Sequence, residues 1–191
     1  MTTRVGILGC GYVGLELVRQ LADEYDVVGV RRSQEGCSAI DAAGGTAIQA
    51  DITDQGDLER IPDVDWLVFA ASSGGRGAKA AERIYVDGLR TVIEAFGSRT
   101  VSPEQLVYTS STGVYGDHDG DWVDEETELS PTTEKTRVLA EAERITREFA
   151  PEHGIEGTVV RFAGLYGPDR YRLERYLDGP VTEGYLNMIH R

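Results

Sequence analysis

Hydrophobic and polar positions along this chain switch repeatedly between two periods. Short apolar runs at 4–8, 26–30, 46–50, 64–70, 105–109 and 157–162 are bounded by polar or glycine residues and predict strands. Between them, apolar residues recur at helical spacing near 11–25, 37–43, 56–61, 78–96, 134–150 and 171–177. In the first of these, Leu15, Leu17, Val18 and Leu21 share one side, and Glu16, Arg19 and Gln20 lie opposite. Strand and helix alternate without a repeat or a low-complexity linker, which predicts a parallel sheet with helices on both faces. Right-handed crossovers wrap such a chain into a doubly wound α/β fold.

The first strand-to-helix junction carries Gly9-Cys10-Gly11-Tyr12-Val13-Gly14. A strand, a glycine turn and an amphipathic helix in that order form the Rossmann-type dinucleotide-binding arrangement. Gly9 suits the tight turn, Gly11 lets the backbone approach a pyrophosphate, and Gly14 lets the helix pack on the strand. The free N–H groups and the positive dipole end of the helix suit phosphates. Cys10 inside the turn is read as a small filler, with a redox-sensing thiol as the alternative.

Composition narrows the partners. Thirty-three acidic residues face 19 basic ones, for a net charge of −14, which argues against nucleic acid or an anionic membrane as partner. Two cysteines, Cys10 and Cys37, make neither a disulfide framework nor a metal site. No apolar run approaches the ~20 residues of a membrane span. No signal peptide precedes the first strand, so a cytoplasmic protein is expected. Only Lys79 and Lys135 are lysines, and the other 17 cations are arginines. Such a surface resembles that of proteins from salt-loving archaea, although a GC-rich genome also favours arginine.

Four segments in order resemble the extended short-chain dehydrogenase/reductase superfamily, the group of NAD-dependent epimerases and dehydratases. They are the glycine turn, Asp51-Ile52 after the third strand, Ser110-Ser111-Thr112-Gly113-Val114-Tyr115-Gly116, and Arg161-Phe162-Ala163-Gly164-Leu165-Tyr166-Gly167-Pro168. Asn187-Met188-Ile189-His190-Arg191 resembles a further family segment. The resemblance implies that Gly9, Cys10, Gly11, Tyr12, Val13 and Gly14 form the pyrophosphate turn. It implies that Asp51 accepts from the adenine amine beside Ile52, and that Ala70, Ala71 and Ser72 line the ribose and phosphate path. Ser111 matches the catalytic hydroxyl, and 161–168 would shape the nicotinamide end and the substrate mouth. The helices near 78–96 and 134–150 match those of the family's four-helix dimer contact, so a homodimer is an expectation by analogy. Residues 1–168 are read as the NAD(P)-binding domain. Residues 169–191, which break off abruptly, are read as the start of an incomplete substrate-binding region.

Two departures qualify the resemblance. After the second strand, where NAD-selective enzymes place an acid for the ribose 2′-hydroxyl, this chain has Arg31-Arg32-Ser33. Planar guanidinium forks suit a 2′-phosphate, so NADP(H) is the expected cofactor and NAD the alternative. The family's tyrosine and lysine, four residues apart, are also missing. Counting back from Glu141 puts Thr133 and Arg137 at those places. Threonine supplies no phenolate, and arginine does not deprotonate usefully near neutral pH. Arg137 remains suited to holding the nicotinamide ribose or a phosphate. Lys135 points about half a turn away from Arg137 and is not expected to replace the lysine. Tyr115 and Tyr166 are read as packing or pocket-wall residues, and His118 as part of a solvated acidic turn.

Two functional readings follow, beside a third in which the reading frame is truncated or decayed and has no activity of its own. One is an oxidoreductase or epimerase using NADP(H) and Ser111 on a nucleotide-sugar-like or other polar carbonyl small molecule. The other is a non-catalytic sensor of dinucleotide state. The charge balance makes its own prediction: the melting temperature rises steeply between low and molar KCl as carboxylate repulsion is screened. A melting curve indifferent to salt would contradict it.

Overall fold

A computed structural model of the protein describes residues 2–74, 77–171, 179 and 187–191. Six parallel strands form the central sheet: β1 (Arg4–Leu8), β2 (Asp26–Arg31), β3 (Thr46–Gln49), β4 (Trp66–Phe69), β5 (Gln105–Ser111) and β6 (Glu156–Phe162). Their order is β3-β2-β1-β4-β5-β6. The doubly wound α/β reading therefore holds. All but the end residues of β1 and β2 are buried, which explains their nearly continuous Val, Ile and Leu content. The order reverses between β1 and β4, so the loops leaving their C-terminal ends diverge to opposite faces and leave a crevice.

Helix α1 (Gly14–Leu21) and α2 (Gln34–Ala42) cover one face, where Val18 and Ile40 pack on Val5, Ile7, Val27 and Val68. The other face carries α3 (Gln55–Leu58), α4 (Ala78–Glu82), α5 (Leu89–Gly97), α6 (Glu134–Arg144) and α7 (Ala150–Glu152). There Leu89, Val92, Ile93 and Phe96 of α5 join Leu106 and Tyr108 of β5 in the larger core cluster. The predicted helices near 78–96 and 134–150 are continuous but pass through π-helical turns at Arg83–Gly88 and Ile145–Phe149. Helix α2 starts earlier than its periodicity indicated, because the Ser33 hydroxyl caps it by accepting the Gly36 N–H at 3.2 Å. The helix expected near 171–177 lies outside the described residues. Strands β7 (Gly164–Tyr166) and β8 (Met188–His190) pair in parallel, joining segments on either side of residue 168.

A buried ion pair fixes α6 against β6. Arg161 of β6 grips Glu143 of α6 through Nη2 at 2.8 Å and Nε at 3.1 Å, with the two side chains 9% and 1% exposed. Ser110 donates to the same carboxylate at 2.6 Å, and Arg161 Nη1 donates to the Tyr115 hydroxyl at 2.7 Å. The Glu143 bond is the main cause of a guanidinium pKa above its usual value, outweighing burial, with the Tyr115 bond adding to it. Arg161→Met leaves the buried Glu143 carboxylate with only Ser110 and the half-exposed Arg147, and the expected cost is about 3–5 kcal/mol in urea unfolding. A loss under 1 kcal/mol would show that the pair does not organise this edge.

Candidate functional site

The glycine turn explains itself sterically. Gly9 has φ +102°, and a Cβ there would fall on the Ala71 backbone. At Gly14 a Cβ would lie 2.5 Å from the Gly9 carbonyl oxygen and 3.1 Å from Ile7 Cγ2. At Gly11 it would meet nothing nearer than Arg31 Nη1 at 3.4 Å, so this stretch of backbone stays open. The N–H groups of Gly9 and Cys10 both donate to the Val30 carbonyl at 3.2 Å. Those of Tyr12 and Val13 make no hydrogen bond among the described residues, and both residues line the cleft. Two unsatisfied donors beside an open backbone fit a bound anion.

Cys10 lies underneath, 3% exposed, its thiol donating to the Ile7 carbonyl at 3.4 Å. Its sulfur fills the space left by the missing side chain of Gly29. Burial, only partly offset by the Val30 contact and Arg31, pushes this thiol up to about 11. Its burial and raised pKa suit packing better than redox sensing.

Two adjoining cavities run along the C-terminal ends of the strands and share Gly9, Arg31, Ala71 and Ser72. The first, about 350 Å³, is bordered by Arg31, Arg32, Ser33, Asp51 and Ile52. Asp51 is partly buried, which works against its charge. The N–H and hydroxyl of Thr53, at 3.0 and 2.8 Å, outweigh that effect together with Arg32 and Arg83, and the carboxyl stays below its usual range. Gly36 makes room for Arg31: a Cβ there would lie 2.6 Å from Arg31 Nε.

The second cavity, about 570 Å³, brings Gly11, Tyr12, Val13, Ala70 and Ser111 together with Phe162, Ala163, Gly164 and Leu165. Arg31, Lys135 and Arg170 also line it, and among the described residues no Asp or Glu does. Ser111 Oγ accepts the Gly113 N–H at 3.2 Å, which leaves its own hydrogen to donate.

Two expected site residues stand elsewhere. Thr133 is exposed and spent on a capping box: its hydroxyl accepts the Thr136 N–H at 3.1 Å, and its N–H donates to Thr136 Oγ1 at 3.0 Å. Arg137 is exposed, and neither residue lines the cavities. The offset comes from the glutamate used for counting. Glu141 lies at the surface with Arg144 at 2.7 Å and Arg90 at 3.6 Å, whereas Glu143 is the one locked into the fold. Counting turns back from Glu143 gives Leu139 and Lys135, and both face the second cavity. Arg161 likewise turns to Glu143 instead of the substrate mouth. Tyr115 is a packing residue, its hydroxyl donating to the Asp124 carbonyl at 2.6 Å, and Tyr166 stacks edge-on with His190.

The model of the NAD dependent epimerase/dehydratase family matches residues 5–190. The chain belongs to that family. It is similar to protein YeeZ of Escherichia coli K12, at 29% identity over 199 residues, covering 98% of this chain and 68% of YeeZ. A Methylobacillus flagellatus protein provisionally assigned as an NAD-dependent epimerase/dehydratase superposes with TM-score 0.78 at 30% identity, covering all of this chain and 66% of that one. The fold is shared with DesIV, a dTDP-glucose 4,6-dehydratase of Streptomyces venezuelae solved with NAD and TYD bound, at TM-score 0.77 and 23% identity over 92% of this chain and 62% of DesIV. The chain thus spans about two thirds of the length of these relatives. Among the described residues no helix is long and apolar enough to cross a membrane, and no cluster of His, Cys, Asp and Glu could hold a metal ion.

Sequence reasoning missed Lys135, Arg170 and Tyr85 of the π-helical turn, all of which line the second cavity. The scarcity of lysine was the available signal for the first. The thiol chemistry is directly checkable: at pH 8 native Cys10 resists Ellman's reagent and reacts on unfolding. Prompt labelling of native Cys10 would contradict its packing role.

Proposed function

We propose that this cleft holds NADP(H) and that the protein acts as an oxidoreductase or epimerase on a nucleotide-sugar-like or other polar carbonyl substrate. The observation that carries the reading is the charge of the cleft. In a chain of net charge −14, the second cavity is bordered by three cations and by no acid among the described residues. Free N–H groups of the glycine turn open onto the same space and suit a pyrophosphate. Arg31 and Arg32 stand where the adenosine ribose would lie, with Asp51 and Ile52 at the adenine. Such a site favours a ligand with three phosphate groups over one with two. Nicotinamide, when bound, supplies or accepts a hydride. The chain's own part is to hold the substrate oxygen near Ser111 and to close the mouth with 162–165.

The second reading, a sensor that binds the dinucleotide without turnover, is favoured by α6 presenting Lys135 and Leu139 to the cavity and no tyrosine. Fluorescence titration in molar KCl, followed by absorbance assays against sugar nucleotides and small carbonyls, separates the two. NADP+ is expected to bind at least tenfold more tightly than NAD+. Arg31→Ala is expected to weaken NADP+ by about 10- to 100-fold, the range of one or two charge-assisted hydrogen bonds, and to weaken NAD+ far less. Equal or tighter NAD+ binding would defeat the NADP(H) assignment. Binding with neither oxidation of NADPH by any carbonyl nor conversion of any sugar nucleotide would favour the sensor.

A further inference from the structure

The chain has 33 acidic residues and meets its need for cations almost wholly with arginine, yet one of its two lysines lines the second cavity. Lys135 stands on the first turn of α6. That turn is fixed at one end by the Thr133–Thr136 capping box and further along by Glu143 locked to Arg161. Leu139, one turn on, borders the same cavity, so the helix presents 135 and 139 to it. The Lys135 ammonium makes no hydrogen bond or ion pair among the described residues. The Ser111 segment lies next to this turn: a Cβ built on Gly113 would sit 3.4 Å from Thr136 Cγ2 and 3.5 Å from Ser111 Oγ. A primary ammonium gives up and regains a proton, whereas a guanidinium does not. This lysine is therefore chemically different from the other cations of the cleft, Arg31 and Arg170.

We propose that Lys135 is the catalytic proton-holding residue at the nicotinamide end, its ammonium binding the reacting carbonyl or hydroxyl oxygen of the substrate together with the Ser111 hydroxyl. The assignment rests on the dinucleotide reading given above. When the substrate oxygen takes the proton, an Nζ–H bond breaks and an O–H bond forms. Lysine is left as a neutral amine, which water reprotonates. In the opposite direction the amine accepts the proton of a substrate hydroxyl. Leu139, an apolar neighbour one turn away, places no charge of its own beside the ammonium.

Because the sequence has just two lysines, reductive methylation with 13C-formaldehyde labels Lys79, Lys135 and the amino terminus, and Lys135→Arg assigns the signal by NMR. Adenosine 2′,5′-bisphosphate reaches only the adenosine end and is expected to leave the Lys135 methyl signal in place. NADP+ and NADPH are expected to move it to two different positions, because a positive ring and a neutral ring lie nearby, while Lys79 stays still. Oxamate, a small carbonyl probe, added to the NADPH complex is expected to shift Lys135 again, and Ser111→Ala to reduce that second shift several-fold. A dinucleotide complex, confirmed by fluorescence, in which Lys135 responds to neither ring state nor oxamate would overturn the assignment while leaving the binding reading intact. Absence of any dinucleotide binding would overturn both.

Discussion

The fold turns on one close contact, the backbone of Gly9 pressed against the backbone of Ala71. Any side chain at residue 9 would occupy the space of Ala71. The contact seats the end of β1 beside the end of β4, where the sheet reverses its order. From there the chain turns into α1 with Gly14 packed on the Gly9 carbonyl, and the Tyr12 and Val13 N–H groups are left without partners among the described residues. A crevice, a phosphate-sized set of donors and a helix start thus follow from one backbone approach.

Charge then divides the molecule. Carboxylates crowd the surface, while the charged side chains on the described walls of the second cavity are all cations. Such a contrast focuses an anionic ligand onto the cleft, and salt blunts it as the screening length falls. Among the described residues Glu143 is the one deeply buried acid, and it is matched by Arg161, Ser110 and Arg147. That match organises the cleft as well, because it sets which residues of α6 point inward.

Much of this was legible in the sequence, for physical reasons. Buried parallel strands write themselves as apolar runs, and the glycine turn has a fixed place after the first of them. The arginines after β2 and the Asp51-Ile52 pair were found because each follows a strand end directly. What misled was a helix face. Glu141 and Glu143 lie two residues apart, and nothing in the local pattern shows which one is buried, since that depends on Arg161 across the sheet edge. The choice of Glu141 rotated the expected active-site face by about half a turn and hid Lys135. Arg170 and Tyr85 were missed because they approach from a loop and from a π-helical turn, neither of which has a clear sequence period. Family membership now rests on the match over 5–190 and the shared fold, and the cleft geometry gives the NADP(H) proposal its physical basis.

The most direct test of the account is hydrogen–deuterium exchange of the protein in molar KCl with and without NADP+. The account predicts that the ligand protects amides of the glycine turn around Tyr12 and Val13 together with those of 31–33, and that the exposed surface of α3 exchanges as before. Unchanged exchange at the glycine turn under saturating NADP+, or protection confined to another face, would contradict it.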